Sequence, residues 1–440
     1  MLLSHVPAHF KSRRDALIQS HPGAVFIFPS NSEVLRNPDV PYGFRQESNF
    51  FYLTGFEEPE SFLVLTAGSG SVPSKMVLFV RRRDATREMW EGERYGVDGA
   101  RNVFQADDAF VTEEFDKKLP ELLQGAERIY YRVGLNEAID RRVIAQVDVH
   151  RASAGRSGRS LLPISDPNEA LAEMRLFKRS EEVAALRKAS QVSALAHKMA
   201  MTEVRPGMNE FEIEALIDYS FRRHGCQRVG YGSIVAGGKN ATCLHYRLNN
   251  QPLKDNELLL IDAGGEFDYY CSDITRTFPV GRSFTAAQAK TYDLVLRSQK
   301  EAIAMSKPGT TLAAIHQHVC EVITDGLLSL GLLKGNREEI LKSNGYSRFY
   351  PHRTSHYLGM DVHDVGLYIT KSGEPRTLEP GMVFTIEPGF YAQPSDPDVP
   401  EEYREIGIRI EDDILITPGG CEVLTADAPK ERAEIEGLKH

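Results

Sequence analysis

Two apolar runs in the second half of the chain each end in a carboxylate, Leu258-Leu-Leu-Ile-Asp262 and Val383-Phe-Thr-Ile-Glu387. A carboxylate closing a buried strand costs several kcal/mol or takes up a proton unless something positive lies beside it. Each run is followed by a segment expected to be a second strand with another acid: Asp273 in Ser272-Asp-Ile-Thr-Arg-Thr-Phe and Glu411 in Ile408-Arg-Ile-Glu-Asp-Asp-Ile. Each is also preceded by a helix, a basic-Pro-Gly break and a second helix. In the first copy a helical pattern over 180–204 stops at Arg205-Pro206-Gly207, and a new helix starts at Asn209 with Glu212 completing a capping box. Phe211, Ile213, Leu216, Ile217 and Phe221 are expected on its buried face. In the second, a helix capped by Thr285 stops at Lys307-Pro308-Gly309, and another runs through Ile315, Val319, Val322 and Ile323. The two copies are therefore expected to bring matching acids to one site.

A length of 440 residues suits two domains. The first third alternates β-rich runs (Ala24–Pro29, Phe62–Thr66, 76–80, 129–133) with a polar helical stretch near 107–124, an α/β pattern. Turn formers crowd 155–168, which puts the boundary near residue 172 and the domains at 1–172 and 173–440.

A net charge of -10 argues against a nucleic-acid partner, because phosphate binding relies on basic surface. No apolar run approaches the roughly 20 residues a membrane span needs, and the start shows no continuous apolar stretch of a signal peptide. Five cysteines, an odd number without a C-x-x-C pair, fit reduced thiols rather than a disulfide framework or a thiolate zinc site. The cytoplasm is the expected compartment.

Three histidines, His352, His356 and His363, fall within one short stretch, with His245 earlier in Cys243-Leu-His-Tyr. One histidine is usually a packing residue; three beside four acids look like a site. Four carboxylates with one imidazole suit hard divalent ions, manganese first, with cobalt, zinc or iron also compatible. Magnesium fits less well because it keeps its waters. So many acidic ligands suit two ions about 3.5–4 Å apart with a bridging water of lowered pKa.

The motifs Ile261-Asp-Ala-Gly-Gly, Ser272-Asp-Ile-Thr-Arg-Thr-Phe, His352-Arg-Thr-Ser-His-Tyr-Leu-Gly-Met-Asp-Val-His-Asp364, Thr385-Ile-Glu-Pro-Gly389 and Gly407-Ile-Arg-Ile-Glu-Asp-Asp413 resemble the pita-bread metallopeptidases, specifically the aminopeptidase P family. Pro41-Tyr-Gly-Phe-Arg-Gln-Glu-Ser-Asn-Phe-Phe-Tyr-Leu-Thr-Gly-Phe56 resembles that family's N-terminal domain, so nearly the whole chain is covered. The resemblance implies an α/β N-terminal domain, serving oligomerisation and cover of the active site, before a catalytic pita-bread domain with an internal pseudo-twofold repeat. It implies release of the N-terminal residue from peptides with proline second, and a homo-tetramer, alternatively a dimer.

By the same resemblance Asp262 holds one metal, Asp273 and Glu411 bridge both, and His356 with Glu387 complete the other. Glu387 is also the implied proton shuttle. His245 and His363 would orient the substrate; His352, Tyr391 and Arg409 would shape the proline pocket; Tyr231 would support a ligating carboxylate. Trp90 matches a tryptophan presented near a neighbouring active site. Arg353-Thr354 stands where Gly-Leu is often found, which bears on subsite preference. The competing readings are an Xaa-Pro dipeptidase, disfavoured because the chain lacks a long insertion between His363 and Glu387, and an inactive pita-bread binding protein, disfavoured because all five ligands are present. A methionine aminopeptidase would resemble the C-terminal part alone.

Overall fold

The computed structural model describes residues 7–68, 73–157 and 162–439, and the chain divides into two units, Met1–Ala172 and Glu173–His440. In the first, the uninterrupted apolar run Ala24–Pro29 is buried along nearly its whole length. It lies inside a six-stranded sheet ordered Asp108–Val111, Lys75–Val80, Phe62–Thr66, Ala24–Pro29, Arg128–Tyr130, Ile164–Ser165. The three central strands pair antiparallel, and parallel pairs add the outer ones. Val25, Ile27, Val64, Val77 and Phe79 pack with Phe115 and Leu119 of one helix and Val143 of another.

Three expectations change here. The stretch 107–124 begins as the strand Asp108–Val111, paired in parallel with Lys75–Val80, before a short turn and the helix Phe115–Leu122. The strand expected at 129–133 is Arg128–Tyr130. Of the turn-rich segment 155–168, residues 155–157 finish the helix Glu137–Ser157, and 158–161 lie outside the described residues, as do 1–6 at the start.

The second unit repeats one arrangement. Helices Ser180–Glu203 and Glu210–Arg223 precede an antiparallel sheet of Ile234–Gly237, Leu258–Asp262 and Thr275–Pro279. Helices Ala286–Met305 and Leu312–Ser329 precede Val383–Ile386, which pairs antiparallel with Asp412–Thr417. In the second copy the partner matching Ile234–Gly237 shrinks to a single bridge, Tyr357 to Phe384. The capping boxes at Asn209/Glu212 and Thr285/Gln288 form. Phe211, however, is 54% exposed: Ile213, Ile217 and Phe221 share one side of their helix, and a residue two positions before Ile213 turns roughly to the opposite side at 100° per residue.

Asp262 closes its strand, and Glu387 follows its strand directly. Asp273 and Glu411, expected within strands, instead stand just before Thr275–Pro279 and Asp412–Thr417. The Asp273 N–H turns to the carboxylate of Asp413 at 3.2 Å, and that of Glu411 to the Thr275 carbonyl at 3.0 Å. These diversions break the ladder and free both side chains to converge.

Candidate metal centre

One oxygen each of Asp273 and Glu411 and one ring nitrogen of His356 lie within 4.8 Å of one another. His356 is set for this by its other nitrogen: Nδ1 is 3.1 Å from the Tyr357 carbonyl and so carries a proton, which turns Nε2 towards the acids, 3.3 Å from Asp273 and 3.7 Å from Glu387. Burial lowers the imidazole, but the hydrogen bond to Asp273 and the charges of Glu387 and Asp273 outweigh it and raise it to about 9. Asp262 joins through Tyr231, whose hydroxyl is 2.6 Å from Asp262 and 2.5 Å from Asp273. One phenolic proton cannot serve both oxygens, so two carboxylates this close call for added positive charge.

Glu411 accepts from the Thr275 hydroxyl at 2.6 Å; burial, then Asp273, Glu387 and Asp262, push it well above the usual carboxylate range. Burial also pushes Asp262 up, against Arg409, and Glu387 up to about 7, against His356 and Arg409. Behind the acids runs a hydrogen-bonded row. Arg409 donates to Asp262 at 2.6 Å, to Thr275 at 3.0 Å and to the Tyr391 hydroxyl at 3.0 Å, and that hydroxyl is 2.9 Å from His352 Nε2. His352 Nδ1 donates to the Arg353 carbonyl and lies 3.7 Å from Glu387.

The expected site residues of the second unit thus gather. His363 meets His356 edge-to-face with ring centres 4.4 Å apart, and His245, on an exposed loop, acts electrostatically on His352 and His363. Trp90 belongs to the other unit, on the helix Ala85–Glu91, 82% exposed. Four carboxylates facing one guanidinium and one imidazole are short of positive charge, and a set dominated by oxygen donors fits hard divalent cations.

Residues 184–418 match metallopeptidase family M24, and residues 10–130 match the aminopeptidase P N-terminal domain. The Xaa-Pro aminopeptidase of Escherichia coli is 43% identical over 430 residues, covering 98% of this chain and 97% of that protein. The chain belongs to the aminopeptidase P family. Pseudomonas aeruginosa aminopeptidase PepP overlays with a TM-score of 0.94 at 45% identity, over 98% of this chain and 97% of that one. Zinc-substituted E. coli aminopeptidase P in complex with product overlays with a TM-score of 0.93 at 42% identity, over 98% of each chain. As an aminopeptidase P, the protein is a metal-dependent hydrolase of the M24 class.

Around these residues lies a layer of support that the sequence alone does not mark. Asp412 and Asp413 were visible beside Glu411 but had no assigned role. Asp413 receives the hydroxyls of Ser272 at 2.8 Å and Ser190 at 3.2 Å along with the Asp273 N–H, so it holds the Asp273 backbone. Arg276, fully buried, donates to the carbonyls of Thr275 and Glu411 and to Asp412, which also takes Lys430 and Gln299. Burial works against the ionised Asp412, but Arg276 and Lys430 win and hold it at about 2. Three consecutive acids with few buried cations to pair them were the signal for this support.

His197 was missed as well. Its Nε2 donates to the Ala263 carbonyl at 2.9 Å, one residue past Asp262, while Nδ1 is buried with no partner among the described residues. Burial, against that hydrogen bond, lowers the imidazole to about 4, so the ring folds neutral. A base whose folded pKa is depressed contributes fully above its unfolded value near 6.5 and loses that contribution as pH falls towards 4. About 3 kcal/mol of stability is expected to go over that window at 1.36 kcal/mol per pKa unit. His197→Gln keeps a donor and cannot titrate. Denaturant unfolding of both proteins between pH 7 and 4.5 should show wild type losing more than the variant; parallel curves would refute a neutral buried His197.

Proposed function

We propose that this chain removes the N-terminal residue from peptides whose second residue is proline, using two divalent ions, manganese first. The reading is carried by the convergence of Asp262, Asp273, His356, Glu387 and Glu411, on a chain 43% identical to an Xaa-Pro aminopeptidase. Asp262 would hold one ion, His356 and Glu387 the other, with Asp273 and Glu411 shared. When bound, such ions supply charge stabilisation to a polarised carbonyl and a water acidified towards neutrality.

The protein's own residues do the rest. Glu387, buried and within 3.7 Å of His352 and His356, suits a group that takes a proton from the attacking water and returns it to the leaving nitrogen. His245 and His363 orient the scissile carbonyl. His352, Tyr391 and Arg409 form a preorganised wall for the proline ring. A bond before proline has no N–H, so register comes from the free amine against the acidic site rather than from that donor.

Chelation is expected to abolish cleavage of an Xaa-Pro-Xaa tripeptide, and added manganese to restore it. Full activity in demonstrably metal-free protein would end this reading. An Xaa-Pro dipeptide in the same assay separates it from a dipeptidase, which would prefer the shorter substrate. No helix of the described residues is long and apolar enough to cross a membrane, and all five cysteines are free; the free thiols support a cytoplasmic protein. We also assign oligomerisation to residues 1–172, with a homo-tetramer expected, alternatively a dimer, readable by light scattering.

A further inference from the structure

Arg353 and Thr354 occupy one short loop and do opposite things. Thr354 is fully buried: its hydroxyl is 2.9 Å from His316 Nδ1 and 2.8 Å from the Tyr350 hydroxyl, and its carbonyl receives the Glu387 N–H at 2.8 Å. It is a strut behind the site. Arg353 turns its carbonyl inward on to His352, at 2.8 Å, and its side chain outward, where it is exposed. Its guanidinium has no hydrogen-bond or ion-pair partner among the described residues. That contrasts with arginines nearby in sequence: Arg348 is held by Asp396 and Asp398, Arg376 by Glu173 and Glu379, and Arg409 by Asp262.

The charge is felt nearby. Tyr368, whose hydroxyl accepts the Tyr357 N–H at 3.1 Å, is raised by burial, and among its smaller influences Arg353 works against Glu387. Leu367, Tyr368 and Ile369 are themselves 45%, 43% and 59% exposed, an apolar margin in the same neighbourhood. A chain of net charge -10 with four acids at its centre should repel acidic peptides. A free guanidinium on the residue next to His352 would counter that repulsion.

We propose that Arg353 reads a carboxylate immediately after the proline of the substrate, carried either by an acidic third residue or by the C-terminus of a tripeptide. The inference rests on the proposed Xaa-Pro activity and adds the substrate class. A guanidinium pairs a carboxylate through two parallel N–H donors, and exposure to water keeps the gain modest.

The test compares kcat/KM for Ala-Pro-Glu-Ala-amide, Ala-Pro-Gln-Ala-amide and Ala-Pro-Lys-Ala-amide, and for Ala-Pro-Ala as free acid against its amide. Glu over Gln, or acid over amide, is expected to be favoured roughly three- to tenfold by wild type, and less at high salt. The first comparison reports a side-chain source and the second a terminal one; a preference in either supports the proposal. Arg353→Gly should remove the preference, Arg353→Glu should shift it to Lys, and Arg353→Lys should retain part of it, because a point charge replaces the planar fork. Cleavage with no charge preference in wild type, or a preference unchanged in the Gly and Glu variants, overturns this inference alone. No cleavage of any Xaa-Pro peptide by manganese-loaded enzyme overturns the proposed activity and this inference with it.

Discussion

Asp273→Asn and Glu411→Gln are each expected to leave the purified protein depleted of metal and to lower kcat/KM by at least about a thousandfold. Changing a group that merely orients a ligand already costs roughly ten- to a hundredfold, and these two acids sit where the donor set is densest. Asp273 shares the Tyr231 hydroxyl with Asp262 and faces His356 at 3.3 Å. Glu411 is fixed by the Thr275 hydroxyl on its side chain and by Arg276 on its carbonyl, so the backbone will not move to bring in a substitute. His352→Ala should behave differently. Its ring bonds Tyr391 and the Arg353 carbonyl and only approaches Glu387, at 3.7 Å, so removing it should leave the metals bound and raise KM for proline peptides. Elemental analysis beside kcat and KM for the three variants decides. A fully metallated Asp273→Asn protein, or a metal-free His352→Ala protein, would show that the roles are wrongly shared out.

What could be read in the sequence follows from how local each cause is. The acid at the end of Leu258–Asp262 was legible because a buried carboxylate demands a cation whatever surrounds it. The helix starts at Asn209 and Thr285 were legible because a capping box closes within four residues. The helix Pro7–Ser20 was not: its buried residues are Phe10, Arg13, Arg14 and Leu17, and its arginines donate to the carbonyls of Tyr52 and Leu53, 39 residues away. Nothing near them in the chain marks two arginines as internal. The strand Asp108–Val111 likewise exists through parallel pairing with Lys75–Val80. In the site, the acids and histidines that converge were readable from the sequence, but the support given by Asp413, Arg276 and His197 joins residues more than 60 positions apart.

Gly264→Ala is expected to be the most damaging small substitution in the second unit, and it tests whether two loops must cross at contact distance to form the site. A Cβ on Gly264 would stand 1.7 Å from the Ser272 carbonyl oxygen, 2.6 Å from its carbon and 3.3 Å from the Asp273 nitrogen. These are backbone atoms, so no rotamer change relieves the clash. Both sides are also tied: the Gly264 carbonyl receives the Gly230 N–H at 2.8 Å, Gly265 donates to Ser193 at 2.9 Å, and Asp273 is held by Asp413. The added methyl must therefore push the Asp262 loop and the Asp273 segment apart. Overpacking in yielding cores costs about 1–3 kcal/mol, and this site, with backbone on backbone, belongs above that range. Gly309→Ala is the matched control. It sits at φ +88° with nothing within 4 Å of the new Cβ, so it carries only the left-handed backbone cost of about 1–2 kcal/mol and no steric one. Thermal unfolding with and without manganese should show Gly264→Ala the less stable of the two and without the metal-dependent rise in Tm that Gly309→Ala keeps. A Gly264→Ala protein with wild-type Tm and wild-type metal content would mean that the crossing is looser than its geometry, and that the separation of Asp262 from Asp273 is set elsewhere.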